Sequence, residues 1–387
     1  MNHYVVIGGG IIGTAIGLEL SRRKVGRVTI LEKEPSLGRH ASGRNSGVIH
    51  SGINQKPGSL KAKMCLEGSR RLRDYCRRRG VPMNEAGTLV VARNEAELAT
   101  LERVLKMGQE CGVPGLTLLS EKELKAKEPI ARGLAALFSP TGAAVDSLAL
   151  LEALAEEAKG LGVQYRLSHK VIQIEGKKIL TDRGEVEADH LINCAGLEAD
   201  RIAHLMGVGK EYRVIPFRGE YMELKGCAVR AMIYQPPDLR FPFLGIHLTR
   251  ETDGRVLAGP SAVLAFGREA YEKEWNWREM FEMFFSPAFL KLVTSPVFLG
   301  LAFKNAALSF SQRAFLKEIQ SLVSGLKSDQ LLPYRSGIRA QIVDSKGRLV
   351  DDLLVEYRDS STHVLNAVSP GMTCSLAFAE YVVDRLM

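Results

Sequence analysis

Hydrophobic and polar positions along the first thirty residues follow two different periods. The apolar run His3–Ile7 leads directly into three glycines, and a stretch with apolar residues at helical spacing, including Leu18 and Leu20, follows. A β-branched run over 28–31 then ends on Glu32. This change of period predicts a strand, a glycine turn, a helix and a second strand parallel to the first.

The same periods continue along the chain and predict alternating helices and strands. The predicted helices lie at 60–79, 95–111, 148–161 and, in an aromatic-rich region, between 268 and 324. The predicted strands lie at 87–92, 190–196, 220–224, 245–249 and 255–258, with a small antiparallel meander over 171–187. Ser120, followed by Glu123, predicts the capping box of one further short helix.

The end of the chain repeats the order of its beginning. A β-branched run over 361–368 is followed by the turn 369–373 and by a predicted helix that reaches the last residue. The apolar stripe of that helix comprises Leu376, Ala379, Val383 and Leu386. Two strand–turn–helix units at opposite ends of the chain, with a buried strand at 190–196 between them, predict one nucleotide-binding domain assembled from distant segments.

A chain of 387 residues is too long for a single hydrophobic core and predicts two domains. The predicted fold class is α/β, with a discontinuous Rossmann-like domain and a substrate-binding domain built on a mostly antiparallel sheet with helices. The first domain is assigned residues 1–80, 143–213 and 333–387, and the second is assigned residues 81–142 and 214–332.

Composition and charge are those of an ordinary globular protein, with 45% hydrophobic and 25% charged residues. The net charge of +8 is spread along the chain, except for one cluster on a predicted helix, made of Arg70, Arg71, Arg73, Arg77, Arg78 and Arg79. A solvated helix face is the ordinary explanation of such a cluster, and contact with a membrane surface or an acidic partner is the alternative. Only one aromatic residue, Tyr75, lies among these arginines, so nucleic acid is not an expected partner.

Cysteine usage and one long apolar tract bear on the location of the protein. The six cysteines show neither Cys-x-x-Cys spacing nor a Cys/His cluster, which favours free thiols in a reducing, cytoplasmic compartment and no metal. No signal peptide is expected, because the N-terminus leads directly into a strand. The tract 284–303 contains Pro287, Lys291 and Pro296, which argue against a membrane-spanning helix. It predicts core helices or an apolar surface patch, with peripheral membrane contact as a hypothesis.

The first glycine turn has the form Gly-x-Gly-x-x-Gly, which is typical of dinucleotide binding. Gly8 permits the tight turn, Gly10 lets the backbone approach a pyrophosphate, and Gly13 lets the helix lie close to the sheet. The helix N-terminus offers free N–H groups and the positive end of its dipole to the phosphates. Glu32 lies about 20 residues further on, where a carboxylate accepts hydrogen bonds from ribose hydroxyls. An ordinary glycine-rich turn of an α/β protein is the alternative.

Five segments of the sequence, among them a second glycine-rich stretch, carry a resemblance to a known family. The five segments are 8–13 with Glu32, 45–52, 193–196, 337–339 and 366–373. They resemble the FAD-dependent oxidoreductases of the D-amino-acid-oxidase type and, within that group, are most similar to the L-2-hydroxyglutarate oxidases and dehydrogenases. The more discriminating pieces of this resemblance also include 218–221, 247–250 and 259–266. Val368 stands where a proline is expected, a mild departure in a supporting position.

The resemblance implies non-covalent FAD and two-electron oxidation of L-2-hydroxyglutarate to 2-oxoglutarate, with oxygen, a quinone or another molecule as the electron acceptor. The residues assigned to FAD are Gly8, Gly10, Ile11, Ile12, Gly13, Glu32, Lys33, Ser42, Asn45, Ser46, Gly47, Val171, Ala195, Gly196, Gly337, Pro370, Gly371, Met372 and Thr373. The backbone N–H groups of Gly371 and Met372 are expected to stabilise negative charge on the reduced flavin.

Oxidation of a 2-hydroxy acid requires a cation for the carboxylate and a base for the hydroxyl proton. Arg339 is the first choice for the carboxylate, because guanidinium binds carboxylate in a bidentate manner and the Gly-Ile-Arg context resembles the family's carboxylate-binding position. The remaining substrate contacts, including one for a second carboxylate, are assigned to Arg250, Arg218 and Tyr221. The candidate bases are His247 and His50, since histidine suits neutral pH, and the sequence does not separate their roles.

Two other readings of the same residues stay open. An amino acid, a sarcosine-like amine or glycerol phosphate would be a different substrate for the same scaffold. A non-enzymatic dinucleotide-binding or sensing module is the second alternative, and a flavin loop combined with a candidate base and arginine argues against it. Bleaching of a bound flavin by one substrate class would separate these functions.

Overall fold

The computed structural model describes residues 1–238 and 245–387. Its strands are β1 (His3–Ile7), β2 (Arg27–Leu31), β3 (Val48–Ile49), β4 (Met83–Asn84), β5 (Thr88–Ala92), β6 (Thr117–Ser120), β7 (Ala135–Ser139), β8 (Ala143–Val145), β9 (Gln164–Arg166), β10 (Val171–Glu175), β11 (Lys178–Thr181), β12 (Gly184–Glu187), β13 (His190–Asn193), β14 (Arg213–Leu224), β15 (Met232–Tyr234), β16 (His247–Arg250), β17 (Val256–Gly259), β18 (Val263–Leu264), β19 (Leu331–Val343), β20 (Leu354–Arg358) and β21 (Ser361–Asn366). Its α-helices are α1 (Ile11–Arg22), α2 (Leu60–Arg79), α3 (Glu95–Glu110), α4 (Glu121–Lys127), α5 (Ser147–Gly160), α6 (Ala199–Leu205), α7 (Trp277–Phe284), α8 (Pro287–Val293), α9 (Pro296–Phe310), α10 (Gln312–Gln320) and α11 (Gly371–Val383).

The first sheet is the one that the opening glycine turn predicts, and we call it the nucleotide sheet. Its strand order is β20-β21-β13-β1-β2-β9, with β1 parallel to both β2 and β13 and with β20 antiparallel at one edge. Helix α1 packs against α5 and α11, and α11 also packs against α2. Because β1, β13 and β21 are parallel, their carboxyl ends meet at one edge of the sheet, and the turns that follow them meet there too.

The second sheet, which we call the substrate sheet, is mostly antiparallel, as predicted. Its order among the described residues is β18-β14-β17-β16-β15-β5-β7-β6, and β19 pairs with β14. The β14–β19 pair runs from Arg213 opposite Val343 to Leu224 opposite Leu331. This long antiparallel pair aligns residues more than a hundred positions apart in the chain. It therefore sets which side chains of 213–224 and 331–343 share a face.

The predicted elements correspond closely to the observed ones. Helix 60–79 has the predicted bounds, the capping box at Ser120 is present, and the meander over 171–187 is the antiparallel sheet β10-β11-β12. The predicted α/β fold class is confirmed. Residues 333–343, which the predicted domain bounds place with the nucleotide domain, pair with β14 of the substrate sheet. The division into two domains stays a prediction.

Helices α7 to α9 carry large apolar side chains that face solvent. Trp277 is 59% exposed, Phe285 75%, Phe303 74% and Phe310 82%. We call the exposed apolar side chains of 275–310 the aromatic face. No single helix within 1–238 and 245–387 has both the length and the apolar composition needed to cross a membrane. The bent pair Pro287–Val293 and Phe298–Phe310 meets that test of length and composition only when its two helices are counted together.

Candidate active site

One large cavity, of about 1010 Å³, lies where the turns of the nucleotide sheet face the substrate sheet. Most of the predicted site residues line it. Those predicted for the cofactor are Gly8, Gly10, Ile11, Ile12, Glu32, Lys33, Ser42, Asn45, Ser46, Val171, Ala195, Gly196, Gly337, Pro370, Gly371, Met372 and Thr373. Those predicted for the substrate are His50, Tyr221, His247 and Arg339. Segments spread over the whole chain therefore converge on a single cavity.

The opening glycine turn leaves no room for side chains where it meets its neighbours. Gly8 has φ +107°, and a Cβ there would lie 2.4 Å from the carbonyl oxygen of Cys194. A Cβ on Gly13 would lie 2.0 Å from the carbonyl oxygen of Gly8. Gly13 does not line the cavity, so its part is to let α1 approach the turn. The first N–H groups of α1 are thereby held at the cavity wall, where they suit a pyrophosphate.

The carboxylate of Glu32 is held by backbone groups and still has acceptor capacity. Its Oε2 accepts a hydrogen bond from the Gly9 N–H at 2.8 Å, and its Oε1 accepts one from the Glu34 N–H at 2.9 Å. Two carboxylate oxygens offer about four acceptor positions, so lone pairs are left over. Because Glu32 also lines the cavity, its geometry fits the ribose-binding role.

The second glycine-rich stretch is shaped by its own side chains. The Asn45 Oδ1 accepts a hydrogen bond from the Gly47 N–H at 2.7 Å, and the Asn45 amide donates to the Ser42 carbonyl at 2.8 Å. The Ser42 Oγ accepts a hydrogen bond from the Ile11 N–H at 2.9 Å. Gly47 does not line the cavity. It packs against β8 instead, where a Cβ would meet the Val145 carbonyl oxygen at 2.3 Å. Asn45 and Gly47 thus fix the loop that brings Ser42 and its neighbours to the cavity.

The closing helix α11 begins at the same cavity. No side chain caps its N-terminus in the described structure, and a Cβ on Gly371 would meet nothing within 4 Å. Thr373 ties this helix to the second glycine loop, because its Oγ1 accepts from the His50 N–H at 3.0 Å and donates to the Val48 carbonyl at 3.3 Å. The first N–H groups of α11 therefore face the part of the cavity where a flavin ring would lie.

Arg339 reaches the cavity from β19. Its Nη1 donates to the Ser261 carbonyl at 3.1 Å, and a Cβ on Gly219 would lie only 3.0 Å from that Nη1. Gly219 of β14 therefore provides the room that the guanidinium occupies. Burial lowers the pKa of Arg339, while the nearby phenol of Tyr221 opposes that shift. An arginine stays charged at neutral pH even so, and it is placed to bind a carboxylate.

His247 is a buried, neutral base. Its side chain is 4% exposed, its Nδ1 lies 3.2 Å from the Gly245 carbonyl, and its Nε2 has no hydrogen-bond partner among the described residues. Burial lowers the pKa of His247 to about 3; the bond to Gly245 opposes this shift, and the charges of His50 and Arg339 add to it. With Nδ1 protonated and donating to Gly245, the lone pair of Nε2 is available in the cavity.

His50 and Tyr221 complete this end of the cavity. Burial lowers the pKa of His50 to about 4, and the charge of Lys61 adds to that effect. Burial raises the pKa of Tyr221, whereas Arg339 and a hydrogen bond with Ser46 work against the rise. At neutral pH the end of the cavity therefore combines one cation with two neutral imidazoles and a protonated phenol.

The structure does not bring Arg218 and Arg250 to the cavity. Side chains alternate along β14, so Gly219 and Tyr221 face the cavity while Arg218 points to the opposite face. There its Nη2 lies 3.3 Å from the Glu220 carboxylate, and its Nη1 lies 3.3 Å from the Ala270 carbonyl. Arg250 ends β16 with an exposed side chain that is also absent from the lining of the cavity.

Two further residues contact this site, and no sequence motif predicts them. The ring of Tyr234 stacks on His247 with centroids 4.3 Å apart and planes at 9°, because Tyr234 lies opposite His247 in the β15–β16 pair. The Ser261 carbonyl, in the turn after β17, accepts from Arg339. Alternation along β14 would have identified Gly219 and excluded Arg218. The partners of Tyr234 and Ser261 depend on strand pairing that the sequence pattern does not specify.

The residues present fit FAD. Glycine turns lead into α1 and into α11, a carboxylate lies at the ribose position, and one large cavity joins them, which matches a dinucleotide joined to a flat ring system. Fold and site together define an FAD-dependent oxidoreductase. The chain belongs to the family described as FAD dependent oxidoreductase, whose model matches residues 3–385. The predicted family and the predicted FAD cofactor are confirmed.

Curated relatives are similar over almost the full length. The L-2-hydroxyglutarate dehydrogenase of Indibacter alkaliphilus is 39% identical over 98% of this chain and 97% of that protein. The L-2-hydroxyglutarate dehydrogenase of Escherichia coli strain K12 is 34% identical over 100% of this chain and 93% of that protein. The mitochondrial L-2-hydroxyglutarate dehydrogenase of Mus musculus is 35% identical over 98% of this chain and 87% of that protein.

Solved structures share the fold at lower identity. The L-alpha-glycerophosphate oxidase from Mycoplasma pneumoniae, with FAD bound, has a TM-score of 0.79 at 23% identity, covering 99% of this chain and 94% of that one. The glycine oxidase from Geobacillus kaustophilus has a TM-score of 0.75 at 19% identity, with the same coverage. These two enzymes act on different substrates, so the shared fold does not choose a substrate.

Proposed function

We propose that this protein oxidises a 2-hydroxy acid, with L-2-hydroxyglutarate as the preferred substrate and 2-oxoglutarate as the product. The observation that carries the proposal is one cavity end that combines a cation for a carboxylate with a buried, unprotonated imidazole for a hydroxyl. Arg339 and His247 supply these two groups. The names and near-complete coverage of the curated relatives support the choice of acid.

The chain's own residues would bind the substrate and move one proton. Arg339 would pair with the carboxylate next to the reacting carbon, and the Tyr221 phenol would donate a hydrogen bond to a substrate oxygen. His247 would accept the hydroxyl proton at Nε2 as the carbon–oxygen double bond forms, and its imidazolium would then release that proton to solvent. Non-covalent FAD, held by the glycine turns at 8–13 and 369–373, would supply the hydride acceptor for this two-electron oxidation.

His50 lies close enough for its charge to lower the pKa of His247, and we assign His50 a role in supporting that base. The Nε2 of His247 is unpartnered and its Nδ1 is fixed by Gly245, which suits a base better than a group that must reorient. A second substrate carboxylate would bring a further negative charge near both imidazoles. That charge would raise their pKa values and favour acceptance of the hydroxyl proton.

Anaerobic titration of the purified yellow protein tests the substrate. The panel would contain both enantiomers of 2-hydroxyglutarate, lactate, malate, L-glutamate, glycine and glycerol 3-phosphate. L-2-hydroxyglutarate is expected to bleach the flavin absorption at the lowest concentration and with the largest rate constant. Bleaching by an amino acid or by glycerol 3-phosphate, with 2-hydroxyglutarate inert, would replace this proposal with the corresponding alternative.

We also propose that the aromatic face meets a membrane surface peripherally, where a quinone would be one accessible electron acceptor besides oxygen. The face combines exposed Trp277 and Phe303 with Arg278, whose side chain is 89% exposed, and this is the composition of an interfacial contact. Flotation with vesicles containing anionic lipid is expected for the native protein, and loss of flotation is expected for Phe285→Ser combined with Phe303→Ser. Full recovery of the native protein in the soluble fraction at low salt would refute this contact.

A further inference from the structure

The loop before α7 lies across the nucleotide end of the cavity. Glu269 and Asn276 of this loop line the same cavity as Glu32 and Lys33, which mark the ribose end. A small adjoining cleft of about 320 Å³ also places the loop beside Lys170. Nothing in the glycine motifs marks residues 269–276, yet they face the nucleotide sheet directly.

Both ends of this loop are fixed to the nucleotide side. At its start, the buried guanidinium of Arg268 donates to both oxygens of the Asp200 carboxylate, at 2.5 and 2.9 Å. Just after it, Glu279 of α7 accepts from Arg201 at 2.8 Å. A buried, doubly hydrogen-bonded pair resists opening, because removing one partner leaves an unpaired charge in the interior.

Between these fixed ends, two contacts, one of them exposed and the other partly buried, hold the loop against the cavity. Glu269 pairs with Lys33, and the Tyr271 hydroxyl lies 2.6 Å from Nδ1 of His40. Burial opposes the charge of Lys33, but the carboxylates of Glu269 and Glu34 outweigh it and raise the pKa of Lys33. The Glu269 side chain is 47% exposed, so solvent and salt weaken this ion pair.

We propose that residues 269–276 are a cover over the nucleotide end of FAD, fixed at Arg268 and Glu279 and closed by the Lys33–Glu269 and His40–Tyr271 contacts. Release of FAD then requires these two contacts to break while the fixed ends stay in place. The cover acts on cofactor retention, and it is independent of which acid the protein oxidises.

The first test measures FAD release from the holoenzyme after dilution, by the return of free-flavin fluorescence. Glu269→Gln is expected to release FAD roughly threefold faster than the native protein, and adding Tyr271→Phe is expected to increase this further. Glu272→Gln is the matched control, because it removes the same charge from the same exposed loop. Among the residues that the structure describes, no ion pair joins Glu272 to the nucleotide side.

Salt dependence and proteolysis give two further tests of the cover. Raising the KCl concentration is expected to speed FAD release from the native protein more than from Glu269→Gln, because the variant lacks the screened ion pair. Trypsin is expected to cut after Lys273, which is 52% exposed, more slowly when excess FAD keeps the cover closed. Equal release from Glu269→Gln and Glu272→Gln, or cleavage at the same rate with and without excess FAD, would overturn the proposal.

Discussion

The two ends of the cavity are made from different parts of the polypeptide. At the nucleotide end the wall is mostly backbone, with the opening glycine turn and the N–H groups that begin α1. At the substrate end the wall is side chain, with Arg339, His247 and Tyr221 on the substrate sheet. A backbone wall is disrupted wherever an added Cβ would meet a neighbouring atom, as at Gly8 and Gly13, whereas a side-chain wall tolerates a change of volume and fails when a charge or lone pair is lost.

Substitutions at the two ends should therefore have different effects. Changes at the substrate end should leave FAD in place and slow its reduction. Changes at the nucleotide end should lose FAD before they alter any step of the reaction. A single substitution that both lost FAD and slowed the reduction of the remaining FAD would contradict this division.

The largest effect is expected from His247→Asn. Loss of a positioned general base slows proton transfer by about 10²–10⁴-fold, so the rate constant of anaerobic flavin reduction should fall by about three orders of magnitude. FAD content should stay at the native level, because His247 belongs to the substrate sheet, where it pairs with Gly259 of β17. Stopped-flow absorbance measures both quantities in one preparation.

The comparison variant is His50→Asn, which should slow reduction by less than about tenfold if His50 only supports the base. An equal or greater loss in His50→Asn would transfer the role of base to His50. Native reduction rates in His247→Asn would remove the base from this end of the cavity altogether.

A smaller effect is expected from Arg339→Lys. The replacement keeps the positive charge and loses the bidentate geometry, so kcat/KM should fall by about 10²-fold, mainly through a higher KM. Arg250→Lys makes the same chemical change on an exposed side chain outside the cavity and should leave kcat/KM within about twofold of native. A large loss in Arg250→Lys would mean that the second carboxylate is bound beyond the cavity seen here.

At the nucleotide end, Gly13→Ala should remove FAD rather than slow the reaction. The new Cβ would meet the Gly8 carbonyl oxygen at 2.0 Å, and such overpacking costs about 1–3 kcal/mol as α1 moves away from the turn. Flavin content after gel filtration and the thermal midpoint should both fall. Gly160→Ala places the same methyl group where nothing lies within 4 Å, so it should keep both values. A Gly13→Ala protein with full FAD content would show that the close approach of α1 is dispensable.

The nucleotide end was the more predictable of the two because its determinants are local. Gly8, Gly13 and Glu32 sit at fixed spacing around one strand–helix–strand unit, and that unit alone positions them. The substrate end depends on pairings such as that of β14 with β19, whose strands are distant in the chain. Arg218 illustrates the limit: its motif suggested the site, but the alternation of β14 turns its side chain to the opposite face.

The sequence pattern also did not predict the buried contacts of the substrate end. The stacking of Tyr234 on His247 and the hydrogen bond from Arg339 to the Ser261 carbonyl arise only once the strands are in register. The loop 269–276 lies in a region predicted simply as helical, although it crosses the nucleotide end. Local periods predict elements, whereas the contacts between elements are set by packing.

The smallest effect is expected for the pH dependence of kcat/KM. This prediction depends more than the others on the burial of the substrate end. The pKa of His247 is lowered to about 3 and that of His50 to about 4, so both imidazoles stay unprotonated as the pH falls through 6.5. Because kcat/KM reports the free enzyme, it should change by less than about twofold between pH 8 and 5.5, where an ordinary histidine base would lose about tenfold. A descending limb with its midpoint near pH 6.5 would show that the base is solvated. The substrate end would then resemble an open surface, and its contrast with the backbone-built nucleotide end would rest on Arg339 alone.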